Sequence, residues 1–264
     1  MNEIRQLIKA SDAGAKKIDF ESTESGTFLN VSEFFTDTIQ GENFVGFPAT
    51  FLRLQGCVLN CSYCDTKKIW KKGGSYSFKE LFQLMEQFNV IKQFNVISKL
   101  KDGQHLVITG GSPLMQQNSL LKFLQEFRST YQFIPYIEIE NECIIEPSIE
   151  LLPFIQRWNN SPKLPNCEVA AHKWYIPSVI RSMANLPNSW FKFVINSNED
   201  WDLIEALYLK PGLIHKRHIV LMPMGDTREE VFKNSKTTVN MAIRHNVRYS
   251  TREHIVLWDN QIGV

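Results

Sequence analysis

Short β-branched or aromatic runs alternate along this chain with longer stretches of helical pattern, and that alternation restricts the fold more than any other feature. Residues 49–54, 106–109, 136–140, 167–170, 190–195 and 218–222 read as strands. Ser77-Phe78-Lys79-Glu80 is a capping box that opens a helix with Leu81, Leu84, Met85 and Phe88 on one face. Residues 120–131, 151–158 and 199–209 read as helical, and Thr227-Arg228-Glu229-Glu230 is a second capping box, for a helix to about residue 245. Strands and helices in this order predict an α/β fold, a parallel sheet of βα units with right-handed crossovers. Such sheets place ligands at the carboxyl ends of their strands. The chain of 264 residues has room for one large core. Residues 1–30, polar and weakly patterned, read as an N-terminal extension to a single domain over 31–264.

The first of these strands runs into Gly56-Cys57-Val58-Leu59-Asn60-Cys61-Ser62-Tyr63-Cys64-Asp65-Thr66, a C-x3-C-x2-C run. Three thiolates can hold three irons of a 4Fe–4S cube. The fourth iron is then free to chelate a small molecule through an amine and a carboxylate, whereas cubes used for electron transfer normally close every corner with cysteine. Structural zinc calls for four ligands, usually as two separated pairs. No second C-x-x-C or H-x3-H pair is present, and His105, His172 and His254 are each isolated. Three inert buried thiols would sit in an apolar run; these are flanked by Gly, Asn, Ser and Asp.

Bulk properties narrow the partners. The 29 basic and 28 acidic residues give a formal charge of +1, so no global field points to nucleic acid or to a membrane. Lys67, Lys68, Lys71 and Lys72 cluster after the cysteines, where a solvated loop accounts for them. No apolar stretch approaches the ~20 residues of a membrane span, and the start lacks the apolar core of a secretory signal. Five cysteines, three of them clustered, fit a reducing cytosol and hence a cytoplasmic location. Cys143 and Cys167 read as small core residues.

The cysteine spacing is similar to that of the radical S-adenosylmethionine (SAM) superfamily. Further segments narrow the likeness: Thr38-Ile39-Gln40-Gly41-Glu42-Asn43, Phe51-Leu52-Arg53-Leu54-Gln55-Gly56-Cys57 and Cys64-Asp65-Thr66. Beyond them come Thr109-Gly110-Gly111-Ser112-Pro113, Ser161-Pro162-Lys163, Phe191-Lys192-Phe193 and Arg252-Glu253-His254-Ile255. In this order, from about residue 31 to the C-terminus, they resemble the 7-carboxy-7-deazaguanine synthase family of deazapurine (queuosine-type) biosynthesis.

The resemblance implies a partial (β/α)6 TIM-like barrel, the radical SAM core, and a lyase that turns 6-carboxy-5,6,7,8-tetrahydropterin into 7-carboxy-7-deazaguanine. In the implied reaction, one-electron cleavage of SAM yields a 5′-deoxyadenosyl radical that removes hydrogen from C6 of the pterin. The ring then contracts and ammonia leaves, with no side chain required as the radical source. By the same resemblance, Cys57, Cys61 and Cys64 hold the 4Fe–4S cluster and Thr66 ligates Mg2+. Tyr63, Asp65, Gly110, Gly111, Glu140, Ser161 and Lys163 bind SAM. Ile39, Gln40, Gly41, Glu42, Arg53, Thr109 and His254 bind the pterin, with His254 reaching in from the last strand. Glu138 shares a strand face with Glu140 and is an equal candidate on the residues alone. The implied partners are an external electron donor such as a flavodoxin and a second copy in a homodimer, with no direct nucleic-acid contact.

The chain departs from the family pattern at several positions. Asn43 stands for the second glycine of the Q-G-E-G loop and Val58 for an Asn. Ser112 replaces the Glu of G-G-E-P, and Glu140-Asn141-Glu142-Cys143 replaces E-T-x-G-T. Two other readings accommodate the cysteines alone: a radical SAM activase acting on a partner protein, such as a glycyl-radical activase, and a non-catalytic metal-binding module.

Overall fold

The structure, a computed structural model, describes residues 5–9, 26–41, 45–87, 94–259 and 261. Glu42, Asn43 and Phe88 lie outside the described residues. Among those described, the strands are β1 (Arg5–Ile8), β2 (Phe28–Ile39), β3 (Pro48–Leu54), β4 (Gly74–Ser77), β5 (His105–Gly110), β6 (Ile137–Asn141), β7 (Arg157–Asn160), β8 (Ser189–Ile195), β9 (Ile219–Pro223) and β10 (Arg248–Tyr249). They form one sheet in the order β1-β2-β3-β5-β6-β7-β8-β9-β10, with β4 also paired to β2. From β3 to β10 every neighbouring pair is parallel, while β1, β2 and β4 add an antiparallel margin.

The crossovers carry helices α1 (Lys67–Trp70), α2 (Phe78–Glu86), α3 (Val96–Lys101), α4 (Gln117–Tyr131), α5 (Pro177–Ala184), α6 (Asp200–Ile204) and α7 (Arg228–His245), and α8 (Glu253–Trp258) closes the chain. Side-chain alternation separates the two faces of the sheet. In β8, Phe191, Phe193 and Ile195 are buried in the apolar layer shared with the helices, whereas Lys192 and Val194 turn to the opposite face. Phe78, Phe82, Phe123 and Phe127 of α2 and α4 interlock beneath the sheet, their rings 5.3–6.1 Å apart in tilted or edge-on pairs. Each such ring contributes roughly 1.5–3 kcal/mol through burial. On the opposite face Phe35, Ala49, Phe51 and Val107 form a small separate apolar plug, with Phe35 stacked on Phe51 at 5.2 Å.

The sheet is curved, because one cavity is lined by residues from β2, β3, β5, β6, β7, β8 and β9. A flat sheet keeps strands about 4.8 Å apart and would hold Phe35 of β2 far from Met222 of β9. The result is the predicted partial barrel, built on six parallel strands and the two-residue β10. β2 is bulged between Phe35 and Thr38. Asp37 adopts φ 69° there and pairs with Lys99.

Sequence and structure differ at four places. The segment 151–158 is not a helix: Pro153 limits it to a single 3-10 turn at Leu152–Phe154, and Arg157–Asn160 form β7. The strand expected at 167–170 is absent, since the 3-10 turn Pro165–Cys167 is followed by Glu168 at φ 58°, incompatible with a ladder. His254 stands on helix α8, not on a strand. The sheet also takes in residues before position 31, namely β1 and the first turn-free residues of β2. The Ser77 capping box is present as expected: Ser77 N donates to Glu80 at 2.7 Å and Glu80 N to Ser77 Oγ at 3.3 Å. At Thr227 the box is one-sided, because Glu230 accepts from Asp226 N at 2.8 Å. Among the described residues no helix is long and apolar enough to cross a membrane.

Candidate active site

The cavity opens at the carboxyl ends of the parallel strands, and the cysteine loop forms part of its wall. Gly56 ends β3 at φ 93°, a conformation that suits glycine, and turns the chain into the loop. Its N–H donates to Trp70 O at 3.0 Å, and its carbonyl accepts Ser112 N at 2.9 Å. Leu59 N donates to Cys57 Sγ at 3.4 Å, Trp70 Nε1 to Cys64 Sγ at 3.5 Å, and Lys67 Nζ to the Cys61 carbonyl at 3.2 Å. The segment misread as a strand braces the loop from outside, with Ser62 N donating to Cys167 O at 3.1 Å.

Cys57, Cys61 and Cys64 all face this cavity as free thiols. Burial pushes Cys57 up, helped by the charge of Glu142, and pushes Cys61 up to about 11. Among the described residues no three His, Cys, Asp or Glu side chains are gathered around one point as ligands of a single ion. Three sulfur donors on one cavity wall fit a cube, which distributes its thiolates over separate irons.

Gly110 and Gly111 line the same wall. The space that side chains would occupy at these two positions is taken by protein. A Cβ on Gly110 would lie 2.5 Å from Leu54 O; one on Gly111 would lie 2.3 Å from Gly56 O and 2.4 Å from Cys57 Cβ. The turn after β5 is thus seated directly on the cysteine loop. Gly111→Ala must lift it off, since neither neighbour can swing away. A loss of about 1–3 kcal/mol in denaturant unfolding is expected, with a lower iron content after reconstitution; an unchanged midpoint and full iron would contradict this packing.

Arg53 and Thr109 are register partners on β3 and β5, and Glu140 pairs with Asn159 across β6 and β7. All four line the cavity. Arg53 Nε donates to Glu33 Oε2 at 3.0 Å, which fixes the guanidinium at the wall. Thr109 Oγ1 donates to Glu140 Oε2 at 2.8 Å. Burial drives the Glu140 carboxyl above its ordinary range, against the pull of Thr109 and Arg53. The two glutamates of β6 divide their work: Glu140 faces the cavity, and Glu138 lies underneath as a fully buried acceptor. Glu138 takes hydrogen bonds from Gln40 Nε2 at 3.2 Å and Asn159 Nδ2 at 2.7 Å, and pairs with His105 Nδ1 at 2.6 Å.

The remaining predicted positions converge as well. Ile39, Gln40 and Gly41 leave β2 along the rim, where the Gly41 backbone packs against His254 and Glu253. Burial, then Arg252, Arg53 and Lys192, push His254 down to about 3, so the imidazole is neutral at physiological pH. Thr66 Oγ1 lies 3.6 Å from Cys64 Sγ, and Asp65 is ion-paired with the buried Arg252. Lys163 Nζ donates to Ser161 Oγ at 3.1 Å. Burial alone would lower Lys163, but Tyr63, Cys61, Glu142 and Cys57 around it carry it above its usual value. Tyr63 is itself pushed up to about 12 by burial.

Four contributors lie outside the predicted set: Glu33, Asn159, Arg252 and Glu142. Each is a polar side chain buried at 9% exposure or less in or beside the cavity. Lys192, in the Phe191-Lys192-Phe193 segment, also faces inward and is pushed by burial to about 7. For Glu33 and Lys192 the signal is a charged side chain inside a strand that otherwise reads as buried; Asn159, Glu142 and Arg252 carry no such local mark.

Comparison with known proteins agrees with this arrangement. A family model described as a 4Fe-4S single cluster domain matches residues 40–139. The 7-carboxy-7-deazaguanine synthase of Pyrobaculum aerophilum is 31% identical over 236 residues, covering 89% of this chain and 97% of that protein. That of Halobacterium salinarum is 24% identical over 257 residues, covering 89% and 92%. Among solved structures, the crystal structure of QueE from Escherichia coli superposes with a TM-score of 0.60 at 22% identity, over 89% of this chain and 99% of that one. A fold shared with a solved structure and 31% identity over nearly the full length of both chains with a relative lead to one assignment: the chain belongs to the 7-carboxy-7-deazaguanine synthase family.

Proposed function

We propose that the protein is a radical SAM lyase that converts 6-carboxy-5,6,7,8-tetrahydropterin to 7-carboxy-7-deazaguanine with loss of ammonia. One observation carries this reading: the three cysteines share a cavity with a ring of polar strand residues, Arg53, Thr109, Glu140, Asn159 and Lys192. Cys57, Cys61 and Cys64 hold the 4Fe–4S cluster, and Tyr63, Gly110, Gly111, Ser161 and Lys163 form the adjoining wall against SAM. Together, cluster and SAM supply a 5′-deoxyadenosyl radical; the protein's part is orientation and exclusion of water.

The polar ring suits a flat, hydrogen-bonding substrate with one carboxylate. Arg53, fixed by Glu33, offers a planar donor to that carboxylate. Gln40 and the Gly41 backbone meet the amide and amine edge of the pterin, while Glu140 joins the wall against SAM. His254, kept neutral, adds a hydrogen bond without adding charge. Phe35 and Phe51 close the floor with apolar surface, which keeps water from a reactive intermediate. An external one-electron donor of the flavodoxin type would serve the cluster.

Thr66 offers a hydroxyl on the cysteine side of the same cavity. Mg2+ keeps several waters and accepts few protein ligands, so one threonine plus the substrate carboxylate suffices. Its neighbour Asp65 is engaged by Arg252, which leaves Thr66 as the direct ligand. Thr66→Ala is expected to raise the Mg2+ concentration for half-maximal activity roughly tenfold with the cluster intact; an unchanged Mg2+ titration would remove Thr66 from the site. The whole reading is tested by anaerobic reconstitution followed by SAM, dithionite and 6-carboxy-tetrahydropterin, with and without Mg2+. Formation of 7-carboxy-7-deazaguanine supports it, whereas SAM cleavage without that product overturns the substrate assignment.

A further inference from the structure

We infer that Glu142 receives the ammonium group of the methionyl end of SAM, an assignment that rests on the radical SAM reading above. Glu142 follows β6 and is only 5% exposed, yet it lines the cavity beside Cys57, Gly111 and Lys163. Its Oε2 is enclosed and has no hydrogen-bond partner among the described residues. Enclosed carboxylate oxygens are normally paired, because an orphaned one forfeits its hydration for nothing. A donor brought by the ligand completes the group.

The surroundings select the kind of donor. Glu142 lies close enough to Cys57 for its charge to raise that thiol. Burial raises the Glu142 carboxyl above its ordinary range, against the pull of Ser112 and Lys163, so a donor that brings positive charge is the one that keeps it ionised. Lys163 contributes some from nearby and donates to Ser161 Oγ, yet no donor among the described residues reaches Glu142 Oε2. A ligand that chelates the cluster through its amino-acid end brings its ammonium to the cysteine side of the cavity, where this carboxylate stands. A charged ammonium makes a stronger hydrogen bond to such an oxygen than a sugar hydroxyl does.

Ser112 supports the arrangement. Its hydroxyl accepts Val58 N at 3.1 Å, donates to Cys57 Sγ at 3.6 Å and lies close enough to Glu142 to oppose the rise that burial imposes on that carboxyl. Two departures from the family pattern, a serine at 112 and a glutamate at 142, are therefore close together. The carboxylate missing from the turn after β5 is present at the end of β6, with Ser112 beside it.

Equilibrium dialysis on anaerobically reconstituted protein tests this, with SAM and with 5′-methylthioadenosine, which keeps the nucleoside and lacks the amino-acid end. Glu142→Gln is expected to weaken SAM about 10- to 100-fold and to leave methylthioadenosine within about twofold, the pattern of one lost charge-assisted hydrogen bond. Adding Ser112→Glu to that variant is expected to recover about tenfold in SAM affinity. Should Glu142→Gln fail to accumulate, Glu142→Asp provides the same contrast, with a loss of roughly tenfold confined to SAM. Unchanged SAM affinity in the variants, or equal weakening of both ligands, overturns the role of Glu142 while wild-type SAM binding stands. Wild-type protein that binds neither ligand overturns the radical SAM reading, and this assignment with it.

Discussion

Cys61→Ala protein, reconstituted anaerobically beside wild type, is expected to remain colourless, to hold little iron and to cleave SAM no faster than background. Cys61 is the most enclosed of the three thiols, at 6% exposure, and is the middle ligand of the loop. With two thiolates left, a cube would have two irons without protein ligands, and dissociation of the cluster follows. The loop itself should survive. The Cys61 carbonyl accepts Lys67 Nζ, and Ser62 and Trp70 make their contacts without its sulfur. Cluster-free wild type and variant are therefore expected to unfold within about 1 kcal/mol of each other, which separates loss of a ligand from loss of the fold. Iron and sulfide analysis with a denaturant curve on the same samples decides the matter. Retention of a full cluster by the variant would mean that the three cysteines are not its ligands.

Much of this site was legible in the sequence, and for a physical reason. The apolar strands that face the helices, such as residues 106–109 and 190–195, are written in Leu, Val, Ile and Phe, and their periodicity shows. The cysteine loop is local, so its spacing is visible directly. The lumen side is harder to read. β7 is Arg-Trp-Asn-Asn, buried along its whole length, and its first half falls in the segment that reads as a helix. Its amides are satisfied across the sheet, Asn160 Nδ2 on Ser189 Oγ at 2.6 Å and Asn141 Nδ2 on Asn160 Oδ1 at 2.8 Å. Those partners exist only once the barrel curls. The same holds for Glu33 with Arg53, Asp65 with Arg252 and Ser112 with Glu142, pairs joined by tertiary structure across 20, 187 and 30 positions respectively. No local pattern encodes them, although a charged residue inside an apolar strand announces that such a partner must exist.

Glu138 shows what that hidden layer does for the chemistry. It is fully buried and serves three groups from three elements: Gln40 after β2, His105 at the start of β5 and Asn159 on β7. Replacing it with alanine removes the shared acceptor and leaves those donors without it in a closed interior. The expected loss is about 3–5 kcal/mol in denaturant unfolding, the range for breaking one side of a buried polar network. Glu138→Gln keeps the volume and one acceptor oxygen, so it should cost less. Its effect should appear instead in substrate binding, because Gln40 bridges toward Glu140 from the Glu138 carboxylate. Freed from that anchor, Gln40 no longer holds one orientation at the cavity rim. A rise in KM for the pterin of roughly tenfold is expected in Glu138→Gln, the scale on which loss of a supporting contact acts. SAM affinity should be unchanged, since the cysteine wall is untouched. The two readouts distinguish this role from general loosening: if SAM affinity fell in step with pterin KM, Glu138 would be holding the barrel together without specifically aiming Gln40.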